Sequence, residues 1–240
     1  MLEAFGWGAV GGSTLIVGAL AAYLLAPSRS VIAVVMALGT GVLIGSVSFE
    51  LINEALKTRT VGWVALLVLA GAAVFTLGNW LLERGGGGNR KDPSGAQSEG
   101  APLAIVLGTV LDGIPESFVL GLTVLHGGVS LSLLAGVALA NLPEAMSSSS
   151  GLKAAGWSRG RVLLMWLTVV VVSALSAAAG YVVLDPTSAH IGALVQAFAA
   201  GALLAMLADT LLPQAYAVEG VLTGPLVVVG FAGSLALSAV

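Results

Sequence analysis

The sequence predicts an all-α integral membrane protein with eight transmembrane helices. Two observations carry this. Of 240 residues, 58% are hydrophobic and only 9% are charged, against about 25% charged in soluble globular domains. So few charges cannot cover a water-facing surface, which excludes a soluble enzyme of ordinary type. A disordered chain is excluded for the same reason, since such chains are polar and charged. The apolar residues also run unbroken for about 20 positions at a time, the length a helix needs to cross a bilayer. Transmembrane barrels alternate polar and apolar residues instead.

Taken in order, the spans fall at residues 4–25, 31–56, 61–82, 101–125, 131–150, 162–184, 191–216 and 221–239. Each is bounded by polar residues, glycine or proline, and the break at 219–220 is the least marked. Met1 to Phe5 carries no basic residue, so the first stretch reads as a retained span rather than a cleaved signal peptide. Spans 1–3 occupy residues 1–83, a glycine-rich flexible cytoplasmic loop occupies 84–100, and spans 4–8 occupy 101–240.

Orientation follows from lysine and arginine. Alternate connections place Arg29, Arg84, Arg90, Lys91, Lys153, Arg159 and Arg161 on one side and only Lys57 and Arg59 on the other. The richer side is expected to be cytoplasmic. Both termini are then extracytoplasmic, in a multi-pass protein of the cell membrane. The chain has no cysteine, which excludes disulfides and thiolate metal sites. A net charge of −3 and no basic stripe argue against a nucleic-acid partner.

Residues 41–55 resemble residues 201–215 in register. These segments lie in spans two and seven, which run in opposite directions. The pattern is that of an inverted repeat, spans 1–3 against spans 6–8 around spans 4 and 5.

Charge inside a bilayer costs at least ~2.5–3.5 kcal/mol per residue, so intramembrane acids call for an explanation. Asp112, Glu116 and Glu144 lie within spans four and five, which have no basic residue at their centres. Such acids need protons or a bound cation. Asp112 and Glu116 are four apart and share a helical face; Asn141 and Glu144 are three apart and do likewise. Both spans carry a Pro-Glu pair, Pro115-Glu116 and Pro143-Glu144. Each proline leaves the carbonyl four residues back without its helical donor and is expected to kink the span there. Two such helices face to face would offer carboxylate, amide and carbonyl oxygens, the composition of a divalent-cation site.

Other polar residues read two ways. Glu50 and Asp209 lie nearer span ends, as relay groups along a path or as interfacial residues. Glu54 reads as loop-facing. His126 and His190 fall near the outer face, as solvated end residues or as metal-capturing groups at an entrance. Ser147 to Ser150 read as small helix-packing residues or as the lining of a polar exit. Trp7, Trp63, Trp80, Trp157 and Trp166 read mostly as interface anchors.

On these residues the chain resembles the ZIP (Zrt/Irt-like protein) family of divalent metal transporters. That family has eight spans, outside termini, a cytoplasmic loop after span three and paired motifs in spans four and five. Its span-four motif, His-Asn-x-Pro-Glu-Gly, is matched by Asp112-Gly113-Ile114-Pro115-Glu116-Ser117. Its span-five motif, ending Pro-Glu-Gly or Pro-His-Glu, is matched by Ala140-Asn141-Leu142-Pro143-Glu144-Ala145. The resemblance implies a metal site of Asp112, Glu116, Asn141 and Glu144. It places Ser173 where the family often has a span-six glutamate.

The departures speak to substrate. Asp112 replaces the usual histidine, Gly113 the usual asparagine, and Ala140 the first polar ligand of span five. The principal site is thereby oxygen-rich and the second site of a binuclear centre degraded. Zinc is the family's usual cargo, and oxygen ligands also suit manganese or iron. The resemblance leaves room for a homodimer. Two rival readings follow from the residues: a sensing or scaffolding relative that does not transport, and an intramembrane hydrolase using paired carboxylates such as Asp112 and Asp209.

Overall fold

The computed structural model describes residues 1–84, 101–125, 128–183 and 189–238. Every regular element among them is helical. Most of the 84–100 loop, and His126, lie outside the described residues.

The elements are α1 (Leu2–Leu24), α2 (Arg29–Ser46), α3 (Asn53–Thr58), α4 (Val61–Leu82), α5 (Ala101–Leu125), α6 (Leu131–Ala154), α7 (Arg159–Val183), α8 (Ala189–Met206), α9 (Leu212–Glu219) and α10 (Thr223–Ser238). A π-helical turn, Val47–Ile52, joins α2 to α3, and another, Leu207–Leu211, joins α8 to α9. Local chemistry sets several boundaries. The Ser28 and Ser130 hydroxyls accept from the Val31 and Leu133 amides at 3.3 and 3.0 Å, capping α2 and α6. Pro115 and Pro143 sit inside helices that continue past them. Gly220, at φ +57°, ends α9 in a conformation that favours glycine.

Six stretches among the described residues are long and apolar enough to cross a membrane. The last, Ile191–Ser238, has 48 residues. At about 1.5 Å per residue it is far longer than a bilayer is thick, and the Gly220 turn divides it. Helix α6 is not among the six. Its interior carries Asn141, Glu144 and four serines, and it is also the helix with the most buried side chains. A helix wrapped by others need not be apolar, because lipid does not touch it. By contrast, α4 is apolar nearly all round and exposes Leu66, Leu69, Val74 and Leu77, a surface suited to lipid contact.

The helices pack in two sets. In one, α1 lies along α6 and α7, and α7 along α5; in the other, α2 lies along α10, and α4 along α8. The sets meet chiefly where α2 packs on α6. In a bilayer, association depends on close packing and polar ties rather than on hiding apolar surface from water. Glycine supplies the first. A Cβ on Gly41 would lie 2.0 Å from the Val227 carbonyl oxygen, and one on Gly230 would lie 2.1 Å from that of Leu38, across α2 and α10. Likewise Gly201 faces the Val68 carbonyl at 1.9 Å and Gly71 that of Phe198 at 1.9 Å, across α4 and α8.

Polar ties supply the second. Ser46, Ser132 and Ser234, all buried, join α2, α6 and α10 through hydrogen bonds of 2.7 and 2.8 Å. Ser132→Ala removes both bonds. It is expected to cost about 1 kcal/mol, seen as a fall of about 2–4 °C in Tm for a chain of this size; an unchanged Tm would show the triad to be dispensable. Lys153 donates to the Ala22 and Tyr23 carbonyls at 3.3 and 3.2 Å, fastening the C-terminal end of α1 to α6. Trp166 departs from the anchor reading. It is fully buried and donates to the Ser149 hydroxyl at 2.8 Å, so it is a core residue of α7.

Candidate functional site

Three residues of α5, Thr109, Asp112 and Glu116, are spaced by three and four, so they fall on one helical face. All three are at most 3% exposed, as is Glu144 of α6. The Thr109 hydroxyl donates to the Glu144 carboxylate, Oγ1 to Oε1, at 2.8 Å. This bond ties α6 to α5 and brings Glu144 to one end of the row. Ser173 of α7 is also buried beside this row. A Cβ on Gly113, the residue after Asp112, would lie 3.6 Å from the Ser173 hydroxyl. Gly12 of α1 faces Ser173 from the other side.

The remaining groups do not all join. Asn141 is buried but donates its amide to the Gly11 carbonyl of α1 at 3.4 Å, so it ties α6 to α1. Among the described residues, no group of three or more His, Asp or Glu side chains comes together as a metal-holding cluster. The expected cage of three acids is therefore not assembled in this conformation. The two proline segments are each approached by a neighbour. Ser176 of α7 donates to the Ile114 carbonyl at 3.0 Å, and Gly18 of α1 lies close against the Leu142 carbonyl.

Fully buried side chains occupy the helical turns on both sides of the acids. Val119, Leu120, Leu133 and Val137 fill one side, and Ile105, Leu152 and Trp166 the other. Beyond the first group, one end of the bundle opens into a cleft of about 650 Å³ lined by Glu50, Glu54, Lys57, Thr123, Ser130 and Gln196. Thr123 follows Glu116 by two helical turns, so the cleft floor is about 10 Å from the acids along α5. Glu50 sits on the first π-helical turn, half-buried, and accepts from Ser238 at 3.3 Å. π-Helical turns recur at functional sites. Glu54 pairs with Lys57, as a loop-facing residue would.

Asp209 lies on the second π-helical turn but on the exposed face, where Thr76 of α4 donates to it at 3.3 Å. It is far less buried than Asp112, and the two do not share a cluster with any third acid or histidine. The backbone of His190 belongs to the first turn of α8; its side chain, like His126, lies outside the described residues.

Thr109 was not legible as a site residue. A threonine in an apolar helix ordinarily bonds to its own backbone, and its partner is 35 residues away. The one signal available was its place on the face of Asp112 and Glu116.

No protein-family model matches the chain, and no curated protein matches it. The functional reading stands on these residues and their surroundings.

Proposed function

We propose that the protein is a ZIP-type transporter. It moves a divalent cation toward the cytoplasm by alternating access, with Asp112, Glu116 and Glu144 as the carboxylates that hold the ion. One observation carries the reading: these three acids are buried on the facing helices α5 and α6, with fully buried apolar side chains on both sides. Acids at such depth are costly, and a cation site is a function that would retain three of them there. The three acids do not form a cluster in this conformation, and the Thr109 bond ties Glu144 to the α5 face that carries the other two. Asn141 and Ser173 border the site, Glu50 stands on the path at the cleft, and Pro115 and Pro143 let their helices flex beside each glutamate.

An inverted repeat and eight spans belong to the same reading. The count follows if Ile191–Ser238 crosses twice, folding back at Gly220, and α6 crosses inside the bundle. The repeat is supported by reciprocal packing: exchanging spans 1–3 with 6–8 turns the α2–α10 pair into the α8–α4 pair, glycine contacts included. It also turns α1 on α6 into α7 on α5. The two π-helical turns match as well, Val47 following Gly41 by six residues and Leu207 following Gly201 by six. The seven basic residues on one set of connections favour a cytoplasmic side there, with both termini outside.

Purified protein in proteoliposomes tests this. Manganese and zinc are expected to accumulate without substrate turnover. Manganese should be carried within about tenfold of zinc, because Asp112 stands where a histidine would favour the softer ion. Cation binding without flux would instead indicate the sensing or scaffolding relative. A strong preference for zinc would overturn the oxygen-rich assignment of the site.

A further inference from the structure

We propose that Thr109 is the positioning residue of Glu144, holding its carboxylate in place before a cation arrives and thereby setting cation affinity. The inference rests on the transport reading and adds a residue to it.

Threonines elsewhere in this chain set the comparison. Thr14, Thr40, Thr123, Thr168 and Thr210 each donate to a carbonyl of their own preceding turn, at 2.6 to 2.8 Å; Thr76 reaches a carboxylate, Asp209, but on the exposed face and at 3.3 Å. The preceding turn is the default for a hydroxyl in an apolar helix, because the backbone acceptor is always within reach. Thr109 has the same option and turns instead across the helix interface to Glu144. Thr109 is 1% exposed, and the acid it meets is 3% exposed. The bond is therefore made away from water, where a hydrogen bond to a carboxylate is strong.

The consequence is conformational. A glutamate has several rotatable bonds, and ordering such a side chain on binding costs affinity. With one oxygen held by Thr109, the carboxylate of Glu144 is ordered in the absence of the ion. Thr109 sits on the face that carries Asp112 and Glu116, so its bond ties Glu144 to that face. The threonine methyl group contributes packing, and the hydroxyl contributes the orientation.

The test is manganese titration of the purified full chain in detergent by calorimetry, with Tm measured in the absence of metal. Thr109→Val, which keeps the shape and removes the donor, is expected to bind manganese about tenfold more weakly, with a fall of a few degrees in metal-free Tm because a buried carboxylate loses its donor. Thr109→Ser restores the donor and is expected to bind within about threefold of the natural chain. If Thr109→Val does not fold, Thr109→Ala is read in its place with the same expectation. Unchanged affinity in the variant lacking the donor overturns the positioning role and leaves the transport reading intact. Equal losses in the Ser and Val variants overturn it too, as they would mark a packing role. Failure of the natural chain to bind manganese or zinc overturns the transport reading itself.

Discussion

Glu116→Met and Glu144→Met are each expected to lose at least about 100-fold of divalent-cation flux while the metal-free protein stays folded, with a Tm equal to or above that of the natural chain. The two halves of this expectation have one cause. Both glutamates are almost fully buried, so each carries a desolvation cost that methionine, similar in length and apolar, does not. Removing the acid relieves the fold and removes the ligand together. Loss of a group that merely supports a metal ligand costs about 10–100-fold, so loss of a ligand is expected to cost more. For Glu144, the Thr109 hydroxyl left behind can return to its own helical backbone, which limits the structural penalty. Proteoliposome flux and thermal unfolding read the two halves separately. Flux within threefold of the natural chain in both variants would remove the acids from the mechanism. A large drop in Tm without metal would recast them as structural.

The fold was legible where physics acts on composition. A run of about 20 apolar residues has few outcomes other than a crossing helix, and the sequence breaks at residues 27–30, 57–59 and 219–220 fall where helices end in the structure. Capping serines and Gly220 account for several of these boundaries. Less legible was anything set by a contact between distant helices. Nothing in the order of residues says that α6 is wrapped by its neighbours, yet that is why it tolerates Asn141, Glu144 and a serine run. Trp166 looked like an interface residue by type and is core by position. The two π-helical turns have no local sequence signal.

At the site, the acids were legible because charge is scarce in this chain and each charge in an apolar run needs a reason. Their burial together on α5 and α6 follows from the spacing of Asp112 with Glu116 and the matching place of Glu144. Two features were not. Asn141, read as a ligand from its spacing, spends its amide on the Gly11 carbonyl of α1, a partner 130 residues away that no periodicity reveals. Thr109 was passed over because threonine is ordinary in an apolar helix, and only its buried bond to an acid of the next helix sets it apart.

Gly230→Ala and Gly233→Ala, three residues apart on α10, are expected to shift stability in opposite directions. A Cβ on Gly230 would lie 2.1 Å from the Leu38 carbonyl oxygen and 3.1 Å from the Val42 amide nitrogen, both backbone atoms of α2. Backbone cannot turn aside as a flexible side chain can, so α10 must move away from α2. Such overpacking costs about 1–3 kcal/mol, a fall of roughly 2–12 °C in Tm for a chain of this size. Around Gly233 no atom lies within 4 Å of the corresponding Cβ. There alanine meets no neighbour, and its better helix propensity makes the change neutral or stabilising by up to about 1 kcal/mol. Differential scanning fluorimetry of the two variants measures the contrast, and equal shifts would show that α2 and α10 do not approach as closely as described. The reciprocal packing extends the test. Gly71 meets the Phe198 carbonyl of α8 as Gly230 meets that of Leu38, so Gly71→Ala is expected to cost as much as Gly230→Ala, within about 1 kcal/mol. A matched pair of losses on opposite halves of the chain is what an inverted repeat requires of its two interfaces. A large loss at one glycine and none at the other would break the equivalence between spans 2 and 8 and spans 7 and 3.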